Sequence, residues 1–457
     1  MSELKRFSIR TFGCQMNVHD TEKLSNLLYH AGYEAAGDES AADLLVINTC
    51  SVREKAENKL YSDLGRLREW KAEKPGRMIG VGGCVAQQEG QTILRRFDHV
   101  DLVFGTHNLL AVPAMLEGAA QGQSGVRIEE SASQDRFDLP ERHPAFEGRD
   151  TGHSFVTVME GCDMFCSFCV VPKTRGREIS RTAASIVAEV RNLVERGVSE
   201  ITLLGQTVNA YGRHDTRRGV AEAAGTIPFG GLLTQLDAIE GLRRIRYTSP
   251  HPLFFDEVLL RAHGELESLC PHVHMPVQSG SDRVLEQMRR RYTRADYETI
   301  IKGLRAVRPD IVVTTDLIVG FPGETDEDFE QTLSLIESVG FVDSYSFKYS
   351  RRPHTKALEL SAEEIAPEVA SARLTALQDV QRRLTLDHHI SRVGSRAEIR
   401  VEGESMHGAG QVRGRDLHHR VVNVPVGDVG APRAGSYIEV DVVEATPHSL
   451  IGTPVTG

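Results

Sequence analysis

One short stretch constrains this chain more than any other. In Gly161-Cys162-Asp163-Met164-Phe165-Cys166-Ser167-Phe168-Cys169, the three cysteines are separated by three and then two residues. Thiolates this close on a short loop converge on one centre with little loop-closure entropy to overcome. A closed zinc site takes four protein ligands, and a four-iron cluster held by four thiolates is likewise complete. Three ligands on a four-cornered cluster leave one iron open to a small molecule. The alternative is a zinc knuckle completed by His153 or by Cys270, although zinc sites favour paired C-x-x-C units over a tight triplet.

The chain has 457 residues, enough for two or three domains with separate cores. No run approaches the roughly 20 apolar residues that cross a bilayer. The opening MSELKRFSIRTFGC lacks the charged-then-apolar order of a signal peptide. Seven cysteines, odd in number and thinly spread, argue against a disulfide framework and for a reducing cytoplasm where thiols serve metals. The expectation is a cytoplasmic monomer with no membrane partner. A formal net charge of −11 speaks against a nucleic-acid partner unless the basic residues are clustered, so their placement decides.

The pattern predicts an α/β protein. Residues 1–118 alternate strand and helix in the manner of a doubly wound parallel sheet. Strands are expected at Arg6–Thr11, Asp43–Asn48, Met78–Val81 and Val100–Phe104, with helices at Asn17–His30 and Val52–Lys71 among those between. Residues 119–150, rich in Gly, Ser, Gln and charge, read as a flexible linker with room for one short strand. Over 151–380 the alternation resumes as six strand–helix units, a partial (βα)6 barrel with its active site at the carboxyl ends of the strands. Its strands are expected at His153–Met159, Glu200–Leu204, Arg244–Thr248, Val273–Val277, Ile311–Val319 and Ser344–Tyr349. A connecting helix at Thr375–His388 follows. Residues 381–457 turn to short alternating runs split by Gly and Pro, predicting a small all-β barrel of about five strands.

Three further cysteines gain meaning from this layout. Cys14, Cys50 and Cys84 each lie just past a predicted strand, in TFGCQMN, NTCSVRE and VGGCVAQ. The carboxyl ends of parallel strands share one edge, where ligands bind, so three strands would deliver three thiols to one place. Scattered buried hydrophobes are the plainer alternative. Cys270, Trp70 and His99 read as structural.

The C-x-x-x-C-x-x-C spacing, with Phe168 before its last cysteine, resembles the signature of the radical S-adenosylmethionine (SAM) enzymes. That resemblance implies a 4Fe–4S cluster on Cys162, Cys166 and Cys169, with SAM on the open iron and Phe168 near its adenine. It also implies Gln206 near the SAM amino group, Gln278 and Ser279 near the ribose, and Ile318 to Gly320 along the adenine. Gly205-Gln206 departs from the Gly-Gly-Glu of many members. The whole chain resembles the methylthiotransferases, with their N-terminal domain, SAM barrel and C-terminal TRAM barrel. TFGCQMN, NTCSVREKAE, EGCDMFCSFCVVPKTRGRE, LLGQTVNAYG, RYTSPHP and TDLIVGFPGET are similar to the MiaB-type tRNA subgroup, which acts at C2 of N6-(dimethylallyl)adenosine 37.

The resemblance implies a second 4Fe–4S cluster on Cys14, Cys50 and Cys84 that carries sulfur. It also implies two SAM per turnover, as methyl donor and as radical source, with tRNA, an electron donor and a sulfur source as partners. Candidate RNA contacts are Arg175, Arg177, Arg291, Arg351, Arg352, Arg413 and Arg415, all within basic clusters suited to phosphates. A solvated helix face is the alternative for Arg289–Arg294. Other substrates stay open: threonylcarbamoyl-adenosine tRNA or a ribosomal protein. So does a non-catalytic iron–sulfur regulator that binds RNA.

Overall fold

A computed structural model describes residues 4–51, 54–131, 133–146, 152–405, 410–426 and 431–455. The chain forms an α/β assembly of three parts. The first is a six-stranded all-parallel sheet of β1 (Arg6–Phe12), β2 (Glu34–Ala35), β3 (Leu44–Thr49), β4 (Met78–Gly83), β5 (Leu102–Phe104) and β6 (Gly125–Arg127), in the order β2-β1-β3-β4-β5-β6. The fully buried β3 splits its apolar run by alternation. Leu45 and Ile47 join the core under helix Glu54–Ala72, while Leu44 and Val46 join the one under helix Gln15–His30. Burial on both faces is why the run reads as continuous.

Two strands beyond the four expected complete the sheet. β2 has only two residues, both exposed, so no period could mark it. β6 lies inside the segment expected to be a linker, and that segment is not a loose tether. The Gln87 side chain donates to the Ile128 carbonyl, that of Asn26 to Pro140, and that of Gln134 to Ser180 of the next domain. The strap is therefore pinned on both sides.

The second part carries β7 (His153–Thr157), the antiparallel pair β8 (Met159–Glu160) and β9 (Ile179–Ser180), then β10 (Glu200–Leu204), β11 (Arg244–Tyr247), β12 (His272–His274), β13 (Val312–Val319) and β14 (Asp343–Lys348). Parallel β7-β10-β11 and β12-β13-β14 are joined by a bridge from Ile245 to Leu269, giving an open arc of six strands with β7 and β14 at its edges. Val156, Ile201, Ile245, Val273, Val313 and Leu317 face the helices. Their alternates, among them His153, Thr202, Arg246, His274, Asp316 and Tyr345, therefore line the inside.

The third part is a closed barrel, β15 (Arg396–Glu404), β16 (Gln411–Arg415), β17 (Val421–Pro425), β18 (Tyr437–Ala445) and β19 (Leu450–Pro454). One helix, Pro367–Arg392, serves both barrels. Leu377 is buried in the large barrel's core, and His389 Nδ1 contacts the Thr446 carbonyl of the small one at 2.7 Å. A boundary at 380 thus falls within a continuous helix. The small barrel docks on the amino-terminal mouth of the arc. Glu200, the first residue of β10, lies 3.2 Å from Arg400, and Arg246 donates to the carbonyls of Asp416 and Leu417. Burial opposes Glu200 ionisation, but Arg246, Arg400 and Arg244 hold its carboxyl at about 2. Among the described residues, no helix is long and apolar enough to cross a membrane.

Candidate active site

Strand order fixes where the first three thiols meet. The strand order reverses between β1 and β3, the switch point at which open α/β sheets bind ligands. Cys14 follows β1, Cys50 follows β3, and Cys84 follows β4. Cys14 is exposed and the other two are buried. A Cβ on Gly13, at φ +135°, would stand 2.4 Å from the Cys50 Cβ, so only glycine lets these loops approach. Asn17 and Asn48 clamp them further, with Asn48 Nδ2 donating to the Asn17 carbonyl at 2.8 Å.

The three thiols are linked through Cys50, which lies within hydrogen-bond reach of both Cys14 and Cys84. A hydrogen bond with Cys50, aided by the Arg175 charge, pulls Cys14 down to about 6 and Cys84 down to about 7, while Cys50 is pushed up. Cys14 caps helix Gln15–His30 and Cys84 opens helix Cys84–Glu89, and helix N-termini favour thiolate. The strand ends thus gather three thiols at one place, two of them drawn toward the thiolate form.

The second triad lies on the loop after β8, at the carboxyl face of the arc. Cys162 and Cys166 are buried and Cys169 is half-buried. Burial raises Cys162, and it pushes Cys169 up to about 12. The loop is tied down by Ser167, whose hydroxyl donates to the Gln287 carbonyl at 2.8 Å and whose carbonyl accepts from Ala357 N–H at 2.7 Å. Phe168 packs between the thiols and the cluster of Val284, Met288, Phe321 and Ile318. His153 and Cys270 lie at the opposite, amino-terminal mouth, where His153 Nε2 contacts Thr202 Oγ1 at 2.9 Å. They cannot complete a zinc knuckle here. Nor do any three His, Cys, Asp or Glu among the described residues close on a single-ion site.

The triads adjoin across a seam between the domains. Arg175, six residues after Cys169, is buried and meets Asp20 at 2.5 Å. Thr106 Oγ1 donates to the Thr174 carbonyl, and His107 Nε2 to that of Arg175, at 2.6 and 2.8 Å. Beside them, Glu160 sits between Lys23 and Arg136. Burial would raise its carboxyl, yet these cations and Arg175 hold it at about 2.

Residues 6–105 match the uncharacterized protein family UPF0004, and residues 156–336 match the radical SAM superfamily. A tRNA-2-methylthio-N(6)-dimethylallyladenosine synthase of Geobacter metallireducens is 46% identical over 456 residues, covering 99% of each chain. Another, from Geotalea uraniireducens, is 46% identical over 452 residues, again covering 99% of each. This chain belongs to that synthase family. Its fold is similar to that of the radical SAM methyltransferase TsrM from Kitasatospora setae, with a TM-score of 0.55 at 13% identity, covering 89% of this chain and 79% of that one.

Several side chains sit otherwise than expected for a member of this synthase family. Gln206 turns its carbonyl oxygen to the Gly161 N–H, leaving a buried amide Nε2 without a protein partner. It thus presents a donor, which suits a carboxylate and not the amino group. Ser279 is fully buried and shares a 3.3 Å contact with Thr332 Oγ1 on helix Asp326–Val339. It serves that helix and not a ribose. A Cβ on Gly320 would meet Ala370 at 2.8 Å, so the long helix explains this glycine. The Gln278 backbone, at φ +76°, extends the ladder to Asp316 and Ile318.

The arginines divide. Arg175 and Arg352 are buried, the latter 3.9 Å from Glu57 of the first domain; they join domains and are not RNA contacts. Arg177, Arg291 and Arg351 are exposed, with Arg177 paired to Asp163 and Arg351 to Glu364. Half-exposed Arg413 and Arg415 share Glu402. The sequence reading also missed Arg290 as a site residue. It belongs to the run Arg289–Arg294 yet turns inward, and only its flanking conformations distinguish it.

Proposed function

We propose that this chain inserts a methylthio group at C2 of N6-(dimethylallyl)adenosine in tRNA, at position 37 beside the anticodon. The observation that carries this reading is the pair of three-thiol edges facing one seam, in a chain matched end to end by synthases of that name. Each triad offers three soft ligands with no fourth among the described residues, the donor set of a 4Fe–4S cluster with an open iron. Bound there, such clusters and SAM supply a radical able to take hydrogen from an unactivated carbon, and sulfur to replace it.

The protein's own task is placement. Cys162, Cys166 and Cys169 would hold the cluster that meets SAM, and Gln206 Nε2 would orient the cofactor's carboxylate. Phe168 and Ile318 would form an apolar wall for its adenine. Cys14, Cys50 and Cys84 would hold the sulfur-carrying cluster. On the open edge of the arc, Tyr345 is 58% exposed and Phe347 39%. Both lie on the inner face beside His274, whose ring meets Tyr345 edge-on at 5.7 Å. Aromatic faces there suit a base drawn out of its stack. Arg177, Arg291 and Arg351 on the surface would meet phosphates. The protein would act as a cytoplasmic monomer, with an electron donor and a sulfur source as further partners.

The test is reconstituted protein given reductant, SAM and tRNA carrying N6-(dimethylallyl)adenosine. Mass spectrometry of nucleosides should find the 2-methylthio product. Product only on threonylcarbamoyl-adenosine tRNA, or only on a ribosomal protein, would overturn the substrate assignment.

A further inference from the structure

Arg290 is 6% exposed and spends all three guanidinium nitrogens inside the protein. Nη1 donates to Cys166 Sγ at 3.4 Å, Nε to the Tyr292 hydroxyl at 3.0 Å, and Nη2 to the Pro276 carbonyl at 2.9 Å. The Tyr292 hydroxyl in turn donates to the Val277 carbonyl at 2.8 Å, so the network is anchored in the chain beyond β12. No carboxylate among the described residues pairs with this cation. A buried charge without a counter-ion is costly, which points to something anionic standing beside it.

The backbone is bent to put it there. Arg289 and Arg291 have φ of +58° and +60°, left-handed conformations at non-glycine residues, and both are exposed while Arg290 points in. Non-glycine residues adopt such conformations only under strain. A solvated arginine run would need neither.

We propose that Arg290 is a positioning residue for the cluster on Cys162, Cys166 and Cys169, donating to the Cys166 sulfur and raising the cluster's reduction potential. This rests on the reading that the loop triad holds a 4Fe–4S cluster. Three thiolates on such a cluster leave a net negative charge that grows by one on reduction. A fixed cation bonded to one sulfur favours the reduced form, since hydrogen bonds to the sulfurs set cluster potentials. The same bond holds the Cys166 sulfur toward the shared centre.

The test uses full-length protein reconstituted anaerobically with iron and sulfide. The midpoint potential of the cluster whose electron paramagnetic resonance signal responds to SAM is compared in wild type, Arg290→Gln, Arg290→Lys and the exposed control Arg289→Gln. Arg290→Gln should lower the reduction equilibrium at least tenfold, 59 mV for a one-electron couple. Arg290→Lys, which keeps the charge but not the fork, should fall between, and Arg289→Gln should match wild type. If Arg290→Gln fails to retain iron, the Lys variant still decides the matter. An unshifted potential in the Lys variant and in any iron-loaded Gln variant would overturn the inference, as would an equal shift in Arg289→Gln. A wild type with no SAM-responsive signal would instead sink the reading of the loop triad itself.

Discussion

The two thiol triads reach similar ends by opposite routes. Cys162, Cys166 and Cys169 come from one loop, and their convergence is local. Cys14, Cys50 and Cys84 come from three strand ends and meet only when the parallel register of β1, β3 and β4 has formed. Burial raises Cys162 and Cys169 of the loop triad, whereas two thiols of the strand triad are drawn down by a hydrogen bond with Cys50 and by Arg175. A local site thus depends on what covers it, and a distributed site depends on the fold that assembles it. Damage to each should look different.

The largest contrast should come from removing ligands. A Cys162/Cys166/Cys169→Ala variant should lose 5′-deoxyadenosine formation entirely and keep about half the iron of wild type, on the basis of two four-iron clusters. Cys50→Ala should still form 5′-deoxyadenosine but transfer no methylthio group. Circular dichroism belongs with the assay, because metal binding and folding are coupled. Retention of all iron, or of none, in the loop variant would end the picture of two separate sites.

Glycine substitutions sharpen the contrast without touching a ligand. In Gly13→Ala the new methyl would meet the Cys50 Cβ, and in Gly161→Ala it would lie 2.0 Å from the Arg177 carbonyl. The first should deplete iron from the strand triad alone and the second from the loop triad alone. Mössbauer spectra of each reconstituted variant would separate the outcomes, and equal depletion of both sites would contradict independence.

The seam between the triads is next. Arg175→Met leaves Asp20 buried without its partner, which costs about 3–5 kcal/mol. The variant should unfold in denaturant with an early transition of the first domain. A single transition at the wild-type midpoint would remove Arg175 as the lock.

The smallest effect lies farthest from either triad. The Glu200 carboxyl titrates at about 2 in the fold, against an ordinary value of 4.5. Its contribution, about 3 kcal/mol by linkage, is complete above pH 4.5 and lost as pH falls toward 2. His153, lowered by burial to about 4 from 6.5, loses stability in the same direction as pH falls between those values. Acid should therefore undock the small barrel, and Glu200→Gln should undock it at neutral pH, read as faster proteolysis after Arg392. An unchanged cleavage rate would assign the docking to other contacts.

Much of this was legible in the sequence because it rests on spacing and period. Cysteine intervals, strand alternation and glycines before thiols are local patterns with one structural solution. Orientation was not legible. Ser279 and Gln206 both follow strands, as a ligand contact would, but the chain turns one toward a helix and the other's acceptor toward Gly161. Arginine spelling does not say whether a guanidinium meets water, a carboxylate or a thiol. Arg291, Arg175 and Arg290 occupy those three states. The docking of the small barrel rests on single charged residues on the inner face of the strands, Glu200 and Arg246, with no repeat to announce it.

The bonds from Thr106 and His107 to the carbonyls of Thr174 and Arg175 act as a caliper. Only five residues lie between Cys169 and Arg175, so the jaw that grips the first domain is nearly the loop that bears the second triad. The gap between the centres is thereby gauged by covalent chain and not by chance encounter. Widening it to admit a folded RNA would mean tearing out a buried ion pair. Whatever passes between the two triads must therefore fit the spacing that this short span and that ion pair impose.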